Sequence, residues 1–371
     1  MSEKHPLLHS LPKDKQYVLV IHGGAGTLER DKFTAEQEEL YREALKSALY
    51  AGYEVLREGG EAMDAAVAAV ATMEDCPLFN AGKGAVFNVA GKNELEASIM
   101  LSKPPASNTD ISSTRRGLAL TLLTRTKNPC KLAKALYLSP NLAPHPFIAG
   151  ETAEKLAESL GQELVEPSYY FTERRWREHR RGLGLPEEPL PHGVPDKQSG
   201  ESLGEYPKGT VGAVALDVRG CITAVTSTGG RTNKLVGRVG DTPIFGGGFW
   251  AEEWKVRHSW TQKLWRKLKG KDLKHEAIGI SGTGDGDYFI RQATASTIAH
   301  RVRFLHQPLE KAVQCAVQDL LTDGDGAPGG VIAVDSRGNV ALSLNCARMY
   351  RGVIRVDGIP KTAIFPDDIL S

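Results

Sequence analysis

The 371-residue sequence has no C-x-x-C pair and no cysteine framework. Its five cysteines, Cys76, Cys130, Cys221, Cys315 and Cys346, are odd in number and scattered. That pattern argues against disulfides and structural zinc and for reduced thiols. No long apolar run is present either. The longest, residues 65–73, falls far short of the roughly 18 needed to cross a bilayer, so no membrane partner is expected. Residues 1–15 lack the apolar stretch of a secretory signal, which predicts a cytoplasmic protein. A strong charge of either sign is missing too. The formal net charge is +1, which gives no global signature of a polyanion binder. The Gly-rich stretch His22-Gly-Gly-Ala-Gly26 has neither dinucleotide-fold nor P-loop spacing. Residues 282–287 hold Asp285 and Asp287 but not the remaining ligands of a calcium loop.

What is present is ordinary globular material, 41% hydrophobic and 25% charged, enough for a large core. Residues 17–21 form a short apolar run and predict a central strand ending in the glycines. Residues 35–59 read as an amphipathic helix with Leu40, Ala44, Leu45, Ala48, Leu49 and Val55 inward, stopped by Gly59-Gly60. Residues 63–73 are Ala/Val-rich on nearly all sides and predict a buried helix. Further helices are expected over 131–138, 151–160, 172–181, 288–304 and 308–321. The 172–181 stretch is densely basic, but one such helix in a near-neutral chain is ordinarily a solvated face, so no nucleic-acid partner is expected. Residues 183–208 are rich in proline and glycine without apolar periodicity, and read as a flexible tether. Residues 211–224 and 330–342 echo each other as strand, D-x-R-G turn, strand, which predicts two β-hairpins.

Between tether and strand stands Gly209-Thr210. On local sequence this is a strand start. If the Gly209–Thr210 bond is cut, however, Thr210 gains an α-amine of pKa about 7.7–8.0 that can deprotonate its own hydroxyl.

The motifs bear on this choice. Residues 210–217 (TVGAVALD), 226–230 (TSTGG), 237–241 (GRVGD), 21–26 (IHGGAG), 79–84 (FNAGKG), 282–286 (GTGDG), 329–335 (GGVIAVD) and 349–352 (MYRG) occur in one order. Together they resemble the plant-type L-asparaginase/isoaspartyl aminopeptidase family of N-terminal nucleophile hydrolases. The resemblance implies an α+β fold, a four-layer αββα sandwich. It implies one domain, 1–371, built from two autoproteolytic fragments, 1–209 and 210–371. It implies hydrolysis of the asparagine side-chain amide and of β-aspartyl peptide bonds. Thr210 would be the nucleophile, Thr228 its supporting hydroxyl, and Thr283 with Gly284 the oxyanion hole. Asn80 would orient the nucleophile, although an Asx turn explains it equally well. Arg238 would grip the substrate carboxylate and Asp241 its ammonium, with Gly284 and Gly286 lining the pocket. Taken without the motifs, Arg238 and Asp241 read as a surface pair. The backbone carbonyls of Met73, Glu74, Cys76, Phe79, Ala81 and Lys83 would wrap a structural Na+, with no cofactor needed for catalysis. The expected partner is a small amino-acid or dipeptide substrate, and the assembly a homodimer of cleaved protomers.

The chain departs from the family pattern at four places. Glu96 stands where Asp is usual, and Arg231 where an apolar residue follows Gly-Gly. Asp285 replaces His or Thr, and bulky Phe249 and Trp250, placed near the substrate pocket, replace smaller residues. Alternatives remain at this point: a related hydrolase of glycosylasparagine or of a protein, or an uncleaved member without activity.

Overall fold

Alternate residues of the 17–21 run bury on opposite sides. Leu19 and Ile21 enter one core, and Val18 and Val20 enter another. A strand with both faces covered needs apolar residues at every position, and this one has them. The computed structural model describes residues 16–27, 29–187, 190, 209–256, 275–320 and 326–370. Residues 188–189 and 191–208, most of the expected tether, lie outside the described residues.

The strands are β1 (Val18–Gly26), β2 (Leu95–Leu101), β3 (Gly117–Leu123), β4 (Phe147–Ala149), β5 (Val211–Leu216) and β6 (Ile222–Thr228). They continue with β7 (Phe249–Lys255), β8 (His275–Gly284), β9 (Gly329–Asp335), β10 (Val340–Leu344), β11 (Arg348–Arg355) and β12 (Lys361–Ala363). An eight-stranded sheet runs β12-β11-β1-β5-β6-β2-β3-β4, and a four-stranded sheet runs β10-β9-β8-β7. In the large sheet β5, which begins one residue after Thr210, lies between β1 and β6. The β5–β6 pair, which follows Gly209, is therefore inserted between β1 and β2, which precede it.

Both expected hairpins form, for the same reason. In β5–β6, Asp217 Oδ1 accepts from Arg219 N at 2.8 Å and Cys221 N at 3.1 Å. In β9–β10, Asp335 Oδ1 accepts from Arg337 N at 2.9 Å and Asn339 N at 3.0 Å. Gly220 and Gly338 take φ of 74° and 75°, a left-handed conformation that suits glycine.

The helices are α1 (Ala35–Arg57), α2 (Ala62–Glu74), α3 (Pro129–Tyr137), α4 (Gly150–Ser159) and α5 (Glu173–Gly182). After the small sheet begins come α6 (Gly286–Arg291), α7 (Thr294–Leu305) and α8 (Leu309–Cys315). A capping box of Thr34 and Gln37 starts α1. Its buried face is Tyr41, Leu45, Ala48, Leu49, Gly52 and Leu56, rotated from the expected one, and Leu40 is 45% exposed. Gly52 sets the rotation: a Cβ there would lie 2.5 Å from Leu19 Cδ2 and 2.6 Å from Ala65 O. The helix expected over 288–304 breaks at Ala293, whose φ is 47°, so α6 and α7 are separate. The basic helix α5 is more than a solvated face. Arg175 is buried, and its Nε donates to Gly84 O at 2.9 Å.

Three cores follow. Helices α1, α2 and α3 bury Leu45, Leu49, Val70 and Leu132 against Leu19, Ile21, Ala213 and Val225 of the large sheet. The other face of that sheet, through Val18, Val20, Val214 and Ile222, meets Phe249, Ala251, Ile332 and Val334 of the small sheet. Beyond the small sheet, Ile278, Ile280 and Val331 pack on Phe289, Ile298 and Val313. A fully buried residue of this size contributes about 1.5–3 kcal/mol. The architecture is thus mixed α and β with two sheets. Among the described residues, no helix is long and apolar enough to cross a membrane. The five cysteines are free.

Candidate active site

Thr210 sits at the foot of β5, 5% exposed. Val211 pairs with Ser227, and Glu96 pairs with Thr228. That register sets Thr210, Thr228 and Glu96 side by side across β5, β6 and β2. Thr210 is held at both backbone ends. Its N–H donates to Thr283 Oγ1 at 3.0 Å, and its carbonyl lies 2.8 Å from His22 Nδ1. A carbonyl only accepts, so His22 carries its proton on Nδ1. His22 Nε2 then accepts from Ser281 Oγ at 2.7 Å, and Ser281 Oγ accepts from Thr226 Oγ1 at 2.9 Å. Full burial pushes the His22 pKa down to about 3, against the bond to Thr210, and keeps the ring neutral. His22 is a positioning residue that sequence reasoning placed only in a strand-end turn. A lone histidine directly after a buried strand was the available signal.

Gly209 has no space for a side chain. A Cβ would lie 2.5 Å from Thr283 Oγ1, 2.5 Å from Ala25 N and 2.9 Å from Gly24 Cα. The peptide between Gly209 and Thr210 is therefore pressed against the Thr283 hydroxyl. That hydroxyl accepts from Thr210 N and from Ala25 N at 3.2 Å, and keeps its own hydrogen to donate. Gly284 follows with φ of 146° and lies against Pro328 O in β9's approach, a place where any Cβ collides.

Asn80 works through the end of β6. Its Nδ2 donates to Gly230 O at 2.7 Å, and its Oδ1 accepts from Val86 N at 3.0 Å. Thr228 Oγ1 accepts from Gly230 N at 3.0 Å. Asn80 and Thr228 thus share the Gly230 turn, a tighter tie than an Asx turn of Asn80 alone.

Arg238 and Asp241 do not form the surface pair that their spacing alone suggested. Arg238 Nη2 donates to Asp287 Oδ1 at 2.8 Å. Burial works to raise the Asp287 pKa, but the hydrogen bond and charge of Arg238 outweigh it and the shift is downward. Asp287 is a second residue that sequence reasoning missed; an arginine assigned to a binding site calls for a counter-ion, and the acid in the 282–287 motif was the available signal. Asp241 is buried, and its Oδ2 has no protein hydrogen bond among the described residues. Gly248 and Gly286 close around it. A Cβ on Gly248 would lie 2.6 Å from Asp241 Oδ2, and one on Gly286 would strike Oδ1. Beneath the loop, Glu96 Oε1 accepts from Gly240 N at 2.8 Å, so the longer departure from Asp latches the loop between Arg238 and Asp241. Burial first, then the charge of Glu96, raises the Asp241 pKa to about 7, while Arg238 opposes and Asp285 adds to the rise.

This has a stability consequence. The folded protein keeps a proton on Asp241 that the unfolded chain releases above the ordinary value of 3.8. The group's favourable contribution is complete below that value and is lost as pH rises to about 7. The Asp241→Asn protein is expected to gain in Tm relative to wild type as pH goes from 4 to 8. Thermal scans across that range check it; a constant difference contradicts a perturbed Asp241.

Arg231 Nη1 lies 3.3 Å from both Asp285 oxygens and 3.4 Å from Asp287 Oδ2. Two departures from the family pattern therefore meet at the site's mouth. Phe249 does not crowd the pocket as expected. It is fully buried between the sheets, its ring tilted against that of Phe245 with centroids 4.8 Å apart.

In the loop after α2, the position of a Cβ on Gly82 falls against Glu74 O, and that of one on Gly84 falls against Phe79 O and Pro77 O. Glycines there let carbonyls converge. Lys83 is exposed and turns toward the Tyr169 ring, 5.8 Å away.

The asparaginase family model matches residues 15–261 and 273–364. The chain is 36% identical to the isoaspartyl peptidase of Escherichia coli K12, over 94% of this chain and 96% of that one. It is 34% identical to the mouse isoaspartyl peptidase/L-asparaginase, over 91% and 87% of the two chains. It is 33% identical to the plant-type L-asparaginase of Pyrococcus abyssi, over 89% and 94%. With the match running over nearly the whole of this chain and of its relatives, the chain belongs to the asparaginase family of the plant type.

Proposed function

We propose that this protein is an N-terminal threonine amidohydrolase that cleaves L-asparagine and β-aspartyl peptides after cutting itself between Gly209 and Thr210. The observation that carries the reading is the clamp on Thr210, with N–H on Thr283 and carbonyl on His22, beside a glycine that tolerates no Cβ. In the first step Thr210 Oγ bonds to the Gly209 carbonyl carbon, and the C–N bond breaks with a proton passing to nitrogen. Water then hydrolyses the ester, leaving a Gly209 carboxylate and a free Thr210 amine. In turnover that amine takes the Oγ proton as Oγ attacks the side-chain amide carbon. Ammonia or the peptide amine leaves with the proton, and water frees aspartate from the ester. Thr283 and the Gly284 N–H donate to the oxyanion. Arg238 holds the α-carboxylate, and Asp241 takes the α-ammonium, which supplies the partner its buried Oδ2 lacks.

The three cores support a four-layer αββα stack in a single domain, with fragments 1–209 and 210–371 interleaved. The 73–84 loop fits a structural Na+, a hard cation suited to converging carbonyls. Met73, Glu74, Cys76, Phe79, Ala81 and Lys83 would hold it, and its role is loop order beside Asn80. Five free, dispersed thiols support a reducing compartment such as the cytoplasm.

The test of function is release of ammonia from asparagine and of leucine from β-aspartyl-leucine by purified, incubated protein. Neither product, from fully cleaved chain, overturns the reading. Arg238→Ala is expected to lower kcat/KM by about 10-fold or more, mainly through KM, because one charge-assisted contact is worth roughly 1.5–3 kcal/mol. Steady-state kinetics on asparagine check it; an unchanged value in folded protein removes Arg238 from the site.

A further inference from the structure

We propose that Arg231 reads the α-carboxylate of the leaving amino acid, making β-aspartyl dipeptides with a free C-terminus the preferred substrates. The inference rests on the amidohydrolase reading above and deepens it. A cavity of about 260 Å³ opens beside Gly209, with Arg231, Thr232, Gly284, Asp285 and Arg348 in its lining. Arg238 and Asp241 are not among the described residues that line it. They face the aspartyl half of a substrate, so the cavity is space for the other half. Ammonia needs little of it, since a water-sized molecule takes about 30 Å³. A whole amino acid fits such a volume.

The chemistry of the lining selects what that amino acid carries. Arg231 is 56% exposed, and its contacts with Asp285 and Asp287 are 3.3 and 3.4 Å. Well-formed guanidinium–carboxylate bonds are shorter, about 2.7–2.9 Å. Both acids have other claims on them. Asp285 caps α6, and Asp287 is held by Arg238 at 2.8 Å. Arg231 is therefore the loosest member of the array and the one free to turn toward a better-placed carboxylate, which a planar guanidinium grips with two bonds. A leaving amine held near Asp285, with its carboxylate on Arg231, would be read as Arg238 and Asp241 read the aspartyl half.

The experiment compares kcat/KM for β-aspartyl-leucine and for its C-terminal amide, which differ only in the carboxylate. Wild type is expected to prefer the acid by about 10-fold or more, the size of one charge-assisted contact. Arg231→Met should bring that ratio close to one, and Arg231→Lys should restore part of it. A wild-type ratio near one, or a ratio unchanged by Arg231→Met, overturns this inference while leaving the amidohydrolase reading intact. Failure of cleaved wild type to hydrolyse either dipeptide or asparagine overturns that reading and this inference with it.

Discussion

The Thr210→Ala protein is expected to remain one 371-residue chain and to lose hydrolysis of asparagine and β-aspartyl dipeptides by on the order of 10⁵-fold or more. The substitution removes the attacking oxygen from both reactions. It leaves the fold in place, because the contacts fixing residue 210 are made by its backbone N–H and carbonyl. Alanine keeps both. Intact mass and a Tm close to that of the wild-type precursor separate lost chemistry from lost folding. Thr210→Ser is expected to cut slowly, since serine keeps the hydroxyl and loses the β-methyl that restricts χ1.

Thr283→Val should slow turnover by about 100-fold or more. Valine matches threonine in shape, so the change isolates one oxygen. That oxygen receives Thr210 N–H and Ala25 N–H and lies against Gly209. Two buried donors lose their acceptor, and a destabilisation of about 1–3 kcal/mol accompanies the lost rate. Self-cleavage should slow as well, because the same hydroxyl borders the peptide to be cut. Thr283→Ser is the control and should recover most of both activities. A time course of intact mass, followed by kcat on the cleaved fraction, checks the pair. Wild-type turnover in cleaved Thr283→Val protein removes the hydroxyl from the oxyanion site.

The strands and hairpins were legible because they are short, apolar and bounded by D-x-R-G turns. Asp217 and Asp335 make those turns by the same two backbone bonds, so the repeat in sequence is a repeat in structure. Helix faces were harder to read. In α1 the close approach of Gly52 to Leu19 and Ala65 rotates the helix, and no local pattern reveals a contact between distant segments. The break at Ala293 was invisible for a similar reason: alanine seldom takes a φ of 47°, and tertiary context imposes it here. In the site, the motif positions named Thr210, Thr228 and Thr283, which the structure brings together at the start of β5, and Arg238 and Asp241 on the loop above Glu96. What surrounds them was not readable. His22, Ser281 and Thr226 come from three strands that meet only through the stacking of the sheets. Asp287 and Glu96 take their roles from where Arg238 and Gly240 fall in space. The Phe249 expectation failed because its strand position faces the intersheet core, not the pocket.

Thr210 is expected to become a chain terminus. The β5–β6 pair lies between β1 and β2 in the large sheet, so fragments cut at Gly209 are expected to stay together until denatured. Purified protein is incubated, denatured and resolved, and the smaller fragment is sequenced from its N-terminus. The account predicts Thr-Val-Gly-Ala-Val, beginning at Thr210, and no such fragment from Thr210→Ala protein. A terminus at any other residue, or full asparaginase activity in uncut Thr210→Ala chain, would contradict it.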